Sequence, residues 1–328
     1  MRSFLASFFE KITKRLREKE QKTIPFEEEK VLEPLPSKVK KTRKKNITEK
    51  KTEIIPSSIN PIRDVIDLME FPFVALSKKR RNPLIYESAD GTRKVKITRH
   101  TGHFLASIYD WDIILVVAGK MQEIINKGSD IPHRTITIPR HELLKALHKQ
   151  VGKKEQKDLE KSLDRLQLTG ISTTVNNKDY RHRAGFGFVD SWGYKERKND
   201  REAQNIHITL SQWLYELCCA QGALLKANVS YFDITSGLKK FLYRTARKHV
   251  GNNEDGWEFS IEKLYEKSGS ESSLKLFKSK LKTAVSDNSI PDYSMKWIEK
   301  NGKSFVIFKK SKIHEIDRKI EEFNKKIF

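Results

Sequence analysis

Apolar residues recur along this chain with two periods, about 3.6 in some stretches and 2 in others, and the switches between them mark the elements. RKVKIT (93–98) alternates and predicts a strand. DWDIILVVAGKMQEIINKG (110–128) predicts a helix, with Gly128 as its C-cap. RTITIP (134–139) predicts a strand that hands over at Pro139 to the helix HELLKALHK. KKEQKDLEKSLDRLQLTG (153–170) predicts another helix, capped by Gly170. ISTTV, YRHRAGFGFVDSWGYKE and QNIHITL then read as strands.

The same grammar returns in the second half. SQWLYELCC opens it, and FDITSGLKKFLYRTARKHVG predicts a long helix. WEFS reads as a strand running into the helix IEKLYEKSG, and SESSLKLFKSKLKTAVS (270–286) as a further helix. In DYSMKWIEKNGKSFVIFKK, Asn301 and Gly302 separate two alternating runs, a hairpin signal. Helix, strand, helix, helix and hairpin therefore occur twice. This is the order of a winged helix, the helix-turn-helix variant whose third helix enters the major groove. The expected fold is α+β, with tandem winged-helix domains at 70–210 and 211–312. A basic, partly disordered tail of 1–60 precedes them and a helical tail of 313–328 follows. In the first tail, Phe4, Leu5, Phe8, Phe9, Ile12 and Leu16 can line one face of a short helix that forms on contact.

Charge sharpens the picture. The 328 residues carry a formal charge of +22, with a pI near 9.7, which favours a polyanionic partner. The helix at 270–286 concentrates the excess. Leu274, Phe277, Leu281 and Val285 form an apolar stripe, and Ser272, Lys275, Leu276, Ser279 and Thr283 lie opposite, flanked by Lys278, Lys280 and Lys282. Solvated helices usually mix both signs to gain i,i+4 pairs, and this one does not. Contact with double-stranded DNA is expected, small hydroxyls near base edges and lysines at phosphates or guanine. In the third helix of the first domain, Lys154, Lys157, Lys161 and Arg165 share the outward face, bordered by Asp158, Glu160 and Asp164. That helix reads equally as a salt-bridged surface or as a second DNA reader. Arg181 and Arg183 stand where a wing touches phosphates. Arg244, with Arg247 or Lys248, fits either a helix crossing a phosphate backbone or plain solvation.

Catalytic constellations are missing. GKS (302–304) lacks the upstream glycine of a phosphate loop, and HELLKALH is not a zinc helix. His100 and His103 lack a third ligand and read as structural. Scattered acids give no support for a metal-dependent nuclease. No enzyme activity, catalytic residue, metal or cofactor is expected. The adjacent Cys218 and Cys219 close no ordinary disulfide, and no stretch approaches a membrane span, so a cytoplasmic protein without a membrane partner is expected.

FPFVALSKKRRNPLIYES, RKVKITRHTGHFLASIYDWDIILVVAGKMQEI, ALHKQVGKKEQKDLEKSLDRLQLTGISTTV, FGFVDSW and FLYRTARKHVG together resemble the plasmid replication initiator protein A family, over about residues 70 to 312. The resemblance implies a bacterial plasmid protein related to initiators of two winged-helix domains. Such proteins bind directly repeated origin sites (iterons), and their dimers act as autorepressors through the first domain. It also implies recruitment of the host replication initiator and replicative helicase, and no ATPase activity. A repressor of the same fold, acting as a homodimer on a palindrome, is the competing reading.

Overall fold

The computed structural model describes residues 62–128, 132–175, 186–194, 205–251 and 253–311. The expected tails of 1–60 and 313–328, and the hairpin residues Arg181 and Arg183, lie outside the described residues. Helices and strands are mixed along the chain. Strand β1 (Arg63–Val65) and helix α1 (Ile66–Glu70) are followed by β2 (Leu84–Glu87) and β3 (Lys94–Arg99). Then come α2 (Trp111–Asn126), β4 (Thr135–Pro139), α3 (Arg140–Ala146), α4 (Lys153–Leu168), β5 (Thr169–Thr173), β6 (Val189–Tyr194) and β7 (Asn205–Leu210). Helix α5 (Gln212–Cys219) and β8 (Leu224–Lys226) lead to α6 (Gly237–His249), β9 (Trp257–Ser260), α7 (Ile261–Ser268), α8 (Leu274–Asp287), β10 (Tyr293–Lys300) and β11 (Lys303–Lys310).

One topology occurs twice. In the first set, β4, α3, α4, β6 and β7 follow α2, and the sheet order is β4-β7-β6. In the second, β9, α7, α8, β10 and β11 follow α6, and the order is β10-β11-β9. Each sheet is antiparallel, and the last strand in sequence sits in the middle. The turn between β10 and β11 needs two left-handed residues, and Asn301 (φ 52°) and Gly302 (φ 71°) provide them.

Three features depart from the sequence reading. Gly170 is not a helix cap. Helix α4 stops at Leu168 and the chain passes directly into β5, with Gly170 opposite Thr98 of β3. A third sheet, β2-β3-β5, is thereby built beside the first set. An element that the sequence reading lacks also precedes residue 70: β1 pairs antiparallel with β8, joining Arg63 to Lys226 and Val65 to Leu224.

That pairing brings β1 to the second set, and a single hydrophobic cluster runs through both. Buried ion pairs cross the same seam. Asp64 of β1 accepts from Arg244 of α6 at 2.6 and 3.2 Å and from the Trp111 indole at 3.0 Å. Lys240 of α6, 1% exposed, donates to both carboxylate oxygens of Asp112 at 2.9 and 2.8 Å. Glu70 binds Lys267, Lys248 (2.7 Å) and His249 (3.0 Å). Such charges are tolerated inside only when paired. Gly237, the first residue of α6, lies against the carbonyl of Leu76; a Cβ there would meet that oxygen at 2.2 Å. The close approach therefore requires glycine. Both thiols are free: Cys218 is fully buried and Cys219 half-buried. Burial pushes both up, Cys219 to about 11.

Candidate nucleic-acid interface

Helix α8 is fixed at both ends and along one side. Ser273 caps its start, its hydroxyl oxygen accepting from the Leu276 N–H at 3.4 Å. Asn288 ends it in the left-handed region at φ 44°, and its side-chain oxygen accepts from the Met295 N–H at 2.6 Å. Phe277, Leu281, Ala284 and Val285 are buried. Burial of Phe277, Leu281 and Val285 contributes about 1.5–3 kcal/mol each. Tyr265 of α7 packs edge-on against Phe277 with ring centroids 5.3 Å apart and donates its hydroxyl to the Ser272 carbonyl at 2.7 Å. Arg80, from the segment before β2, reaches the same turn: it donates to the carbonyls of Gly269, Asn82 and Pro83 and lies 3.7 Å from Glu271. The turn ahead of α8 is thus held from two sides.

The expected outward residues of α8 divide into two groups. Lys275, Ser279, Lys280 and Thr283 are exposed, and Lys275 and Lys280 make no ion pair among the described residues. Lys278 donates to Ser304 of β11 at 2.9 Å, and the ammonium groups of Lys278 and Lys282 stand 5.8 and 5.9 Å from the Trp297 ring of β10. These two lysines therefore lean toward the hairpin. Ser272 is half-buried in the turn, and its hydroxyl lies 2.8 Å from that of Ser270. Leu274 departs from the expected buried stripe. It is 40% exposed because it sits in the first turn, beyond the packed part of the helix, and Ala284 completes the stripe instead. The hairpin adds exposed Lys296 and Lys303, which the sequence reading missed. Their signal was the Asn-Gly turn following a lysine-faced helix.

In α4, Leu159, Leu163 and Leu166 are buried and Lys154, Lys157 and Lys161 exposed, as the spacing implies. Arg165 corrects the expectation. It points inward and grips buried Asp110, with Nε to Oδ2 at 2.9 Å and Nη2 to Oδ1 at 2.6 Å. Two of the bordering acids turn to other partners. Asp164 accepts from the Trp192 indole at 3.2 Å, and Glu160 from Tyr194 at 3.3 Å and Gln156 at 3.0 Å. The lysines of α4 gain no ion pair from them.

The RTARKH segment is corrected as a whole. Arg244 is 6% exposed and pairs with Asp64; Lys248 pairs with Glu70; Arg247 donates to the Lys226 carbonyl at 2.6 Å. The physical reason is that α6 is surrounded by β1, α1 and β8, so its basic residues fasten the seam rather than face solvent. His100 and His103, expected to be structural, are both exposed in the turn after β3. GKS falls at the β10–β11 turn, away from any helix start. Among the described residues, no group of three or more His, Cys, Asp or Glu converges as a metal site, and no helix is long and apolar enough to cross a membrane.

Three comparisons place this arrangement. The family model described as Replication initiator protein A matches residues 63–295. The chain is 32% identical over 241 residues to a protein of Wigglesworthia glossinidia brevipalpis described as "Putative replication protein", covering 73% of this chain and 86% of that one. The crystal structure of domains 2 and 3 of RctB superimposes with a TM-score of 0.52 at 11% identity, covering 74% of this chain and 96% of that one, a likeness of fold. With the match spanning well over half its length, the chain belongs to the replication initiator protein A family.

Proposed function

We propose that this initiator binds directly repeated sites in double-stranded plasmid origin DNA through two winged-helix domains, at 70–210 and 211–312. Helix α8 enters the major groove, the β10–β11 hairpin follows the phosphate backbone, and α4 makes a second contact or a dimer surface. The observation that carries this is the outward side of α8: exposed Lys275 and Lys280 among exposed Ser279 and Thr283, with no acid before Asp287, next to a hairpin bearing Lys296 and Lys303. The twofold recurrence of one topology supports the paired domains. Two linked contacts on one duplex gain by effective concentration. The action is binding and opening of the origin without covalent chemistry, followed by recruitment of the host initiator and replicative helicase.

Gel-shift titration of the full chain on its own origin fragment and on random duplex of equal length, over a salt series, tests this. Tight stepwise complexes on the origin are expected, with far weaker binding to random DNA. Equal binding to both, collapsing as salt rises, would reduce the surface to a nonspecific polycation. A single complex on one palindrome would turn the reading to a repressor.

A further inference from the structure

The outward side of α8 resolves into two lines. Lys275, Lys278 and Lys282 fall at i, i+3 and i+7, and the last two lean over Trp297 of the hairpin. One residue along, Leu276, Ser279 and Thr283 repeat the spacing, and all three are exposed and uncharged. The Thr283 hydroxyl donates to the Ser279 carbonyl at 3.2 Å. Leu276 is 47% exposed on a helix whose other side buries Phe277 and Leu281. Scattered exposed leucines need no special cause, and Leu274 at the edge of the buried stripe is itself 40% exposed. Here the position matters, because Leu276 lies in the first turn of α8, on its lysine-bearing side, where recognition helices usually meet base edges.

We infer that Leu276 is a specificity-determining residue that contacts the 5-methyl group of a thymine in the binding site. This rests on the reading of α8 as the major-groove helix. The lysines supply attraction to any sequence and select none of it. Thymine presents the one apolar group at a base edge in that groove, and an apolar side chain flanked by hydroxyls suits it.

The test replaces each thymine of one origin site in turn by uracil, which keeps the pairing and removes only the methyl. At one position, uracil should weaken wild-type binding about fourfold, the worth of one buried methyl-sized group. Leu276→Ala should weaken binding to the thymine site by a similar factor and bind thymine and uracil alike there, with its melting temperature unchanged. Leu276→Met should retain the preference. A Leu276→Ala protein that keeps the full thymine preference overturns the inference, as does a wild type that binds the origin specifically while ignoring every methyl. A wild type that does not distinguish origin from random duplex overturns the major-groove reading of α8 as well.

Discussion

Removing the Arg244 guanidinium would leave the Asp64 carboxylate buried with, among the described residues, the Trp111 indole and the Val65 amide as donors. Breaking such a pair from one side typically costs about 3–5 kcal/mol, so Arg244→Ala should melt well below wild type in denaturant or heat. Lys275→Ala should do the opposite: unchanged stability, weaker binding to all duplexes, and a log K against log salt slope shallower by about 1. Glu70 gives a pH signature. Burial raises its carboxyl, but hydrogen bonds from His249, Lys248 and Lys267 outweigh this and hold it far below the ordinary 4.5. Below that value the folded state binds fewer protons at Glu70 than the unfolded state. Its stabilisation is therefore complete above pH 4.5 and lost as pH falls. Melting temperatures taken from pH 7 to 3 should drop more steeply in wild type than in Glu70→Gln; parallel curves would refute the assignment. Exposed lysines such as Lys154, Lys157 and Lys275 were legible from helical spacing alone. Arg244 was not, because its partner lies 180 positions away and no local pattern shows a pair that distant.

At the scale of elements, the longer helices and the Asn-Gly hairpin were legible because each carries its own periodicity. The β1–β8 pairing was not. Two strands of three residues each have no period to read, and their register is set by what packs around them. Gly170 misled for a related reason: glycine after a helical run usually caps it, but here β3 was waiting to pair with the chain that follows α4. The hairpin turn can be tested directly. Gly302 holds φ 71° with open space around its α-carbon, so Gly302→Ala adds backbone strain and no clash. A loss of about 1 kcal/mol is expected in chemical denaturation. A larger fall in DNA affinity than in stability would show that the hairpin's shape matters for binding itself.

For the whole molecule, the seam between the two sets of elements is the distinguishing feature. Asp112 is pushed up to about 6 by burial, against the pull of Lys240, and burial pushes Lys240 down. Asp112→Asn should leave that ammonium without an anion and cost about 3–5 kcal/mol. Adding Lys240→Met should recover most of the loss, because an apolar side chain of similar length needs no partner. Simple addition of the two losses would mean that the pair is not coupled. Sealed inside the same core, Cys218 gives this chain a built-in clock. Burial also pushes up the thiol of its half-buried neighbour Cys219, which lowers its thiolate content at neutral pH. An alkylating or oxidising agent thus reaches Cys218 only when the core parts, and each modified Cys218 records one such opening.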